Sequence, residues 1–193
     1  MSERPDRAVA LPKIRLAPAA LRHEAEFLEA ARRSRRLHRP WSSPPTTSVR
    51  FRRYLNGSQR GSDVAYFIFS ASKQLVGVVN ISEIVRGPFR SAYLGYFTFA
   101  PHQRRGYMTA GLAAAVTKAF RTLRLHRLEA NIQPGNTASL ALVKQLGFQK
   151  EGYSERYLKI GGRWRDHERW AVTVERWNRA RRPARDRVPR RAG

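Results

Sequence analysis

The sequence predicts one α/β domain of the α+β kind, with helices packed on a mixed and mostly antiparallel sheet. Seven short segments rich in β-branched and aromatic residues are interleaved with four segments whose apolar residues recur at spacings of three or four. The chain has 193 residues, of which 41% are hydrophobic. It is therefore long enough for one domain with a sizeable core and too short for two comfortable ones.

The first part of the chain predicts a strand, two helices and a proline-rich break. A short strand is expected at 13–16, and Pro18 starts a helix that runs to about residue 36. The run 39–45 contains three prolines and ends that helix, and a second helix follows at about 47–55. The apolar face of the first helix is expected to contain Leu21, Ala25, Leu28 and either Ala31 or Arg32.

The rest of the chain predicts three strands, a helix, a strand, a helix and a hairpin, in that order. The helix at about 106–123 is amphipathic, with core positions at Met108, Leu112, Ala115, Ala119 and Leu123. Gly147 stops the later helix, and Gly161-Gly162 marks the turn of the hairpin. The expected bounds are 64–70, 75–84 and 92–99 for the three strands, 127–132 for the next strand, 137–146 for the second helix, and 148–160 and 163–173 for the hairpin.

Residues 13–175 are expected to form this domain, with a tail on each side. Residues 1–12 are assigned to an N-terminal tail. Residues 176–193 hold eight arginines against one aspartate and show no apolar periodicity. They are therefore expected to be a mostly disordered C-terminal tail.

The charge of the chain is its most unusual property. It carries 38 basic and 14 acidic residues, for a formal net charge of +24. Such a field favours polyanionic partners such as RNA, the ribosome or a phosphate-bearing ligand. The sequence leaves one alternative open, in which arginine abundance reflects the composition of the genome and implies no partner.

Composition also excludes or disfavours several classes of protein. The chain has no cysteine, so disulfides, a thiol nucleophile and cysteine-ligated metals are excluded. Its five histidines show no ligand cluster, so no metal is expected. No apolar run approaches the roughly 18–20 residues that cross a bilayer, and the N-terminus has no signal-type segment. A cytoplasmic protein without membrane contact is therefore expected.

A basic turn before the helix at 106–123 is the strongest chemical signal in the sequence. It reads Gln103-Arg104-Arg105-Gly106-Tyr107-Met108. The first turn of a helix offers N–H groups without partners at the positive end of the helix dipole. Glycine at this point lets an anion approach the backbone, and the arginines add charge. The turn is thus predicted to bind phosphate, with an ordinary basic loop as the alternative.

This turn resembles the acetyl-CoA motif of the GNAT acetyltransferase superfamily, which has the form Q/R-x-x-G-x-G/A. Gln103 and Gly106 match it, whereas Met108 replaces the final small residue. About thirty residues later, Asn136 to Ser139 and 146–152 resemble the N-x-x-S and LGF-x-x-E-G stretch of the RimJ/RimL branch, the N-terminal acetyltransferases of ribosomal proteins. The resemblance runs from about 14 to 174, and the stretches similar to the RimJ type are 86–89, 93–96, 152–158 and 162–167.

The resemblance implies a GNAT fold, with a sheet of about seven strands that is splayed in the middle and flanked by about four helices. In that fold the pantetheine arm of acetyl-CoA pairs with the strand at 97–99, and the amides from Arg104 to Thr109 hold the pyrophosphate. The residues expected to bind acetyl-CoA are accordingly Phe97, Thr98, Phe99, Gln103, Arg104, Arg105, Gly106, Tyr107, Met108, Thr109, Asn136 and Ser139.

Two residues are expected to handle protons in a direct acetyl transfer to an amine. The N-x-x-S motif of the branch implies that Ser139 hydrogen-bonds the departing thiol, although it could equally be a first-turn residue of a helix capped by Asn136. Glu129 is the candidate base, acting directly or through water, because alternation on its strand turns it away from the core. The alternative is that Glu129 offsets the charge of Arg127, and Glu83 is a rival of lower weight.

The resemblance implies that the acceptor is the N-terminal α-amine of a protein, most simply a ribosomal protein with a small first residue. An α-amine has a pKa near ~7.7–8.0, so it needs only mild help to lose its proton. Two alternatives stay open: a small amine such as an antibiotic or polyamine, and a ribosome- or RNA-binding factor in which acetyl transfer is secondary. The acceptor groove is expected to involve Trp41, Tyr153, Tyr157, Trp164, Asp166 and His167.

Overall fold

The computed structural model describes residues 10–39, 41–58 and 62–181. The strands are β1 (Ile14–Pro18), β2 (Val64–Ser70), β3 (Leu75–Val85), β4 (Ser91–Thr98), β5 (Arg127–Ile132), β6 (Gln149–Ile160) and β7 (Arg163–Thr173). The helices are α1 (Glu24–Arg33), α2 (Arg35–His38), α3 (Ser48–Ser58), α4 (Tyr107–Arg121), α5 (Thr137–Gln145) and α6 (Val174–Arg181), with a short 3-10 turn at Leu21–His23. None of the described helices is long and apolar enough to cross a membrane.

The seven strands form one sheet in the spatial order β1-β2-β3-β4-β5-β7-β6. Every neighbouring pair is antiparallel except β4 and β5, which run parallel. The predicted fold class is therefore confirmed. The two parallel strands are connected through α4, because a parallel pair cannot be joined by a tight hairpin turn.

The first helix differs from its prediction. Pro18 is the last residue of β1, where it lies opposite Tyr66, and it does not begin a helix. The helical segment starts later and is interrupted at Ser34, so that α1 and the short α2 replace one long helix. The expected apolar face is correct at Leu28 and Ala31, which are buried, and wrong at Leu21, which is 54% exposed, and at Ala25, while the fully buried Phe27 was not expected there. The large aromatic side chain determines which face of α1 is turned inward.

The C-terminal boundary also differs from its prediction. Residues 176–181 belong to α6, so the expectation of disorder is wrong for this stretch, and residues 182–193 lie outside the described part of the chain. The reason is Trp177, which is 2% exposed and packs edge-on against Phe120 at a centroid distance of 6.3 Å. Its indole N–H donates to the Thr117 hydroxyl at 3.1 Å, which fixes α6 on α4.

The sheet separates two apolar cores. On one face, α4 and α5 cover a cluster that includes Ile68, Leu112 and Leu128. On the other face, α1 and α3 enclose an aromatic cluster around Phe27 and Phe51. The strand residues of this second cluster come from β1, β2, β3 and the end of β4. Its helices therefore cover the β1 side of that face.

Helix α4 lies unusually close to the sheet at Gly111. A Cβ atom at this position would lie 2.2 Å from Cδ1 of Ile68, which is itself fully buried. We expect Gly111→Ala to lower the free energy of unfolding by about 2 kcal/mol, because overpacking of a filled core costs roughly 1–3 kcal/mol. Chemical denaturation measures this change. Gly57→Ala in α3 is the control, since nothing lies within 4 Å of the added methyl group, and an equal loss there would contradict the packing argument.

Candidate active site

A gap between β4 and β5 is the central feature of the site. The two strands pair from Ser91 with Arg127 to Tyr93 with Glu129, and the pairing ends there. Beyond this point β5 stays paired with β7, while β4 stays paired with β3. The sheet is thus splayed in its middle, as the GNAT resemblance implies.

The edge of β4 that faces the gap carries free backbone groups. The N–H of Phe99 turns toward β3 and donates to the Val76 carbonyl at 2.9 Å. Alternation along the strand then turns the backbone groups of Thr98 and Tyr96 toward the gap. The Thr98 carbonyl is already bonded, because Nε2 of His38 donates to it at 2.7 Å. The edge at Tyr96 is the part left to pair with an extended ligand.

The predicted phosphate-binding turn has the required backbone shape. Gly106 (φ 76°) and Arg104 (φ 61°) both have left-handed conformations, and α4 begins immediately afterwards at Tyr107. No side chain caps this helix, so its first N–H groups are available to an anion. The chain also passes closely behind the turn, since a Cβ on Gly106 would lie 3.0 Å from Cδ of Pro12. These features fit the pyrophosphate of CoA.

A cavity of about 430 Å³ opens from this turn into the gap, and we call it the donor cavity. The expected acetyl-CoA residues that line it are Phe97, Thr98, Gln103, Arg104, Gly106, Tyr107, Met108, Thr109, Asn136 and Ser139. Two expected residues lie elsewhere. Phe99 is fully buried in the aromatic core, and the Arg105 side chain is exposed on the other side of the turn.

Sequence analysis missed one wall of the donor cavity. Besides Ser139, four residues of α5 line it, and they are Ala138, Ala141, Leu142 and Gln145. Their spacing of three, one and three residues places them on one face of a helix. The signal was present in the sequence, because this face combines small and apolar residues directly after the Asn136 cap.

Ser139 lies in the first turn of α5, at the end of the donor cavity. Its backbone N–H donates to Oδ1 of Asn136 at 3.2 Å, so Asn136 is the N-cap of the helix. The Tyr96 hydroxyl donates to the Ser139 carbonyl at 3.4 Å. Burial raises the pKa of Tyr96, so its phenol keeps its proton at neutral pH. Two hydroxyl groups, those of Ser139 and Tyr96, therefore line the same end of the cavity.

A second cavity, of about 320 Å³, lies on the other side of these residues, and we call it the acceptor cavity. It reaches across the sheet face from the loop at 41–45 to β7. The residues that it shares with the donor cavity are Trp41, Ser42, Tyr96, Phe97, Asn136 and Ser139. A molecule in each cavity would therefore meet the other beside Ser139.

The acceptor cavity holds polar groups that sequence analysis did not assign to it. Tyr54 from α3 donates its hydroxyl to Oδ1 of Asn80 on β3 at 2.5 Å. Asn131 on β5 lines the same space, and its Oδ1 is buried without a hydrogen-bond partner. Of the expected groove residues, Trp41 and His167 line the cavity. These residues come from separate elements and share no local motif.

The other expected groove residues are engaged within the last hairpin. The Tyr153 hydroxyl donates to Oδ2 of Asp166 at 2.7 Å, and the backbone N–H of Arg156 donates to Oδ1 at 2.8 Å. These two bonds lower the pKa of Asp166. Trp164 is 60% exposed near the tip of the hairpin, and Tyr157 packs against the ring of His167.

Glu129 lies outside both cavities. It shares a separate depression with Glu83 and Tyr93, and Nε of Arg127 donates to its carboxylate at 2.9 Å. Its side chain is on the face of β5 opposite the buried Leu128, as predicted. The alternative role of Glu129, in which it offsets the charge of Arg127, is thus consistent with the ion pair between the two side chains. The role of Glu129 as a base stays a prediction.

No three His, Asp or Glu side chains converge on a possible metal site within the described ranges.

A family model described as "Acetyltransferase (GNAT) domain" matches residues 13–149. The chain belongs to this acetyltransferase family. The match covers β1 to the start of β6 and includes the basic turn, the gap and Ser139. The splayed sheet described above is the arrangement that the GNAT resemblance implies.

Individual relatives point to one branch of the GNAT family. The chain is 41% identical over 124 residues to the ribosomal protein uS5-alanine N-acetyltransferase of Escherichia coli (strain K12), a match that covers 64% of each chain. The matched part thus spans somewhat less than two thirds of that relative. Among solved structures, RimJ of Mycobacterium smegmatis in complex with CoA-disulfide is 29% identical, with a TM-score of 0.76 over 84% of this chain and 82% of that one.

The fold extends to GNAT enzymes with other acceptors. The structure of spermidine N-acetyltransferase from Vibrio cholerae, in complex with CoA and spermine, has a TM-score of 0.73 over 86% of this chain and 98% of that one. Its identity of 21% shows the fold alone. The acceptor therefore has to be inferred from the acceptor cavity itself.

Proposed function

We propose that the protein transfers an acetyl group from acetyl-CoA to the N-terminal α-amine of an acceptor protein, by direct transfer in a ternary complex. A ribosomal protein with a small first residue is the proposed acceptor, and a cytoplasmic location is proposed with it. The observation that carries the proposal is the meeting of the donor and acceptor cavities at Ser139. The E. coli relative, which is named for acetylation of an alanine of ribosomal protein uS5, supports the class of acceptor.

Direct transfer requires a neutral amine, stabilisation of the tetrahedral oxyanion and protonation of the departing thiolate. In the proposed arrangement the basic turn and the Tyr96 edge hold acetyl-CoA, whose thioester supplies the acetyl group. The Ser139 hydroxyl donates to the sulfur as the C–S bond breaks, and the neutral Tyr96 phenol holds the backbone carbonyl of Ser139 in place. Glu129, the candidate base of the sequence analysis, lies outside the cavities, so it could reach the amine only through water.

The acceptor cavity favours a peptide over a polyamine. Among the described residues that line it, none is acidic. A polyamine carries several positive charges and needs carboxylates to offset them, since an unpaired cation in a cavity is costly. The overall positive charge of the chain also disfavours a polyamine, because it repels a cationic acceptor. A neutral peptide with one terminal amine suits these walls better.

The test is acetyl transfer to a panel of peptides with varied first residues, with the acetylated atom located by mass spectrometry. Matched controls are the same peptides with a blocked N-terminus and an internal lysine, and spermidine. We expect α-acetylation of peptides that begin with a small residue. Transfer to spermidine or to lysine alone would overturn the proposed acceptor class and leave the acetyl-CoA assignment standing.

Ribosome or RNA association is a second proposed property, and the net charge of +24 is the observation that favours it. Because α6 is part of the fold, a truncation should begin at residue 182, which removes five arginines and one aspartate. We expect ribosome affinity to fall steeply with salt in the full chain and less steeply in the truncated one, since each phosphate contact adds to the salt slope. Identical salt slopes would contradict a role for the tail.

A further inference from the structure

We propose that His167 is the base of this reaction, taking the proton from the acceptor amine, and that Asn131 orients that amine. This inference rests on the proposed function, because it concerns the acceptor cavity of the same site. Neither residue belongs to the basic turn or to the N-x-x-S motif. Both lie on the face of β5 and β7 opposite the apolar core under α4 and α5, and both line the acceptor cavity together with Trp41.

The position of His167 defines its protonation pattern. The residue is 3% exposed, and its ring lines the acceptor cavity. Its Nδ1 lies 2.9 Å from the carbonyl oxygen of Arg165. A carbonyl only accepts, so Nδ1 carries the hydrogen and Nε2 carries the lone pair. The ring is thus held in the tautomer that leaves a basic nitrogen for the cavity.

The surroundings of His167 keep the ring neutral at physiological pH. Burial lowers the pKa of His167, while the bond to the Arg165 carbonyl and the charge of Asp166 act weakly in the opposite direction. Tyr157 from β6 packs edge-on against the ring at a centroid distance of 6.1 Å. Tyr54 and Tyr96, which line the same cavity, have pKa values raised by burial and stay uncharged. The imidazole is therefore in its basic form when an acceptor binds.

Asn131 supplies a second acceptor on the same face of the sheet. It lies opposite Arg169 in the β5–β7 register, and His167 is two residues from Arg169 on the same side of β7. Asn131 and His167 are thus diagonal neighbours across the two strands. The buried Oδ1 of Asn131 has no hydrogen-bond partner among the described residues, which is unfavourable unless a ligand supplies a donor. A terminal amine brings N–H donors for both groups at once.

The proposed step conserves atoms and charge. The neutral amine donates one N–H to Oδ1 of Asn131 and another to Nε2 of His167. As its lone pair forms the N–C bond to the acetyl carbon, the nitrogen becomes cationic and its proton passes to Nε2. The C–S bond then breaks, and the thiolate takes a proton from the Ser139 hydroxyl. His167 gives its proton to water, and water returns a proton to the Ser139 oxygen. The products are the amide and the free thiol.

His167→Asn tests the base directly, because an asparagine amide reproduces the Nδ1 donor to Arg165 and removes Nε2. We expect kcat/KM for the preferred peptide at pH 7.5 to fall by about 30-fold, below the usual range for general-base catalysis because an α-amine is already partly neutral. The Kd of acetyl-CoA should change less than twofold. His126→Asn is the matched control, since His126 pairs with Glu175 at the far end of β5, and it should retain full activity.

The pH profile separates a base from a structural residue. His167 is neutral above its lowered pKa and becomes protonated as the pH falls through that pKa. Its contribution to the rate as a base is therefore present at pH 7.5 and lost toward acid pH. The ratio of wild-type to His167→Asn activity should therefore shrink between pH 6.5 and pH 5. A ratio that stays constant would show that the substitution acts through structure and would overturn the proposal.

His167→Gln and Glu129→Gln complete the experiment. Glutamine at 167 offers an oxygen near the position of Nε2 that accepts a hydrogen bond but not a proton, so KM should be retained while kcat falls. If Glu129→Gln removes the acid limb of the profile and the His167 variants do not, Glu129 is the base and this inference fails. Failure of the wild type to acetylate any α-amine would instead overturn the proposed function, so the two outcomes are distinct.

Discussion

Replacing Gly106 by glutamate is expected to weaken acetyl-CoA binding by roughly 1000-fold or more. Two effects add. Gly106 has a left-handed conformation (φ 76°) in which a side chain costs about 1–3 kcal/mol, and its Cβ would lie 3.0 Å from Pro12. The new carboxylate would also lie beside the uncapped start of α4, where the proposed pyrophosphate binds, and would repel it. Each 1.4 kcal/mol corresponds to a factor of ten in Kd.

Two further variants separate these effects in a calorimetric titration. Gly106→Ala introduces the backbone strain without the negative charge, and its affinity for acetyl-CoA should fall about tenfold. Gly87→Glu is the matched control, because Gly87 is also left-handed (φ 65°) but lies in the turn before β4, with nothing within 4 Å of its Cβ position. It should bind acetyl-CoA as the wild type does. Unchanged binding by Gly106→Glu would remove the basic turn from the donor site.

Replacing Ser139 by alanine is expected to lower kcat by about 100-fold, the usual scale for loss of a positioned proton donor. The Kd of acetyl-CoA should change by less than threefold. The helix should be unaffected, because Asn136 caps α5 through the backbone N–H of residue 139, which alanine retains. Single-turnover kinetics with the preferred peptide measure the chemical step.

Thr137→Ala is the control for Ser139→Ala. Thr137 is the exposed first residue of the same helix, two residues before Ser139, and it lines neither cavity. Its loss should leave kcat unchanged. An equal loss of kcat in both variants would indicate a general effect on α5, and full turnover by Ser139→Ala would reduce Ser139 to a residue of the first helical turn.

The donor side of the site could be predicted from sequence because it is encoded locally. A strand end, a left-handed glycine and a helix start lie within a few consecutive residues, and this combination predicts an anion site. The same is true of Asn136 and Ser139, where the cap and the first helical turn are three residues apart. Phe99 and Arg105 were misplaced because a stretch of sequence does not show which of its side chains point away from the cavity.

The acceptor side could not be predicted because it is assembled from distant elements. Trp41, Tyr54, Asn80, Asn131 and His167 come from a loop, a helix and three strands, and no spacing links them. Their meeting depends on the strand order, in which β7 inserts between β5 and β6. Trp41 and His167 were expected in this groove from the family resemblance alone, and no residue spacing indicated that Tyr54, Asn80 or Asn131 would join them.

The errors at the two ends of the fold have a common cause. Periodicity in the first helix was read from small aliphatic residues, whereas Phe27 determines the buried face. In α6, one tryptophan among arginines fixes a helix that composition predicted to be disordered. In both places one large aromatic side chain decides the local structure against the composition of its neighbours. Its burial contributes about as much to stability as the burial of several smaller residues together.

The central claim is that a donor and an α-amine acceptor bind together and meet at Ser139. A bisubstrate compound, in which CoA is joined through an acetyl linker to the α-nitrogen of an alanine-initiated peptide, tests it directly. The account predicts that this compound binds roughly 100-fold more tightly than CoA alone, because linking two bound groups converts the second contact into an intramolecular one. The isomer joined through a lysine side chain should bind no better than CoA. Equal affinities for CoA and the α-linked compound would contradict the account.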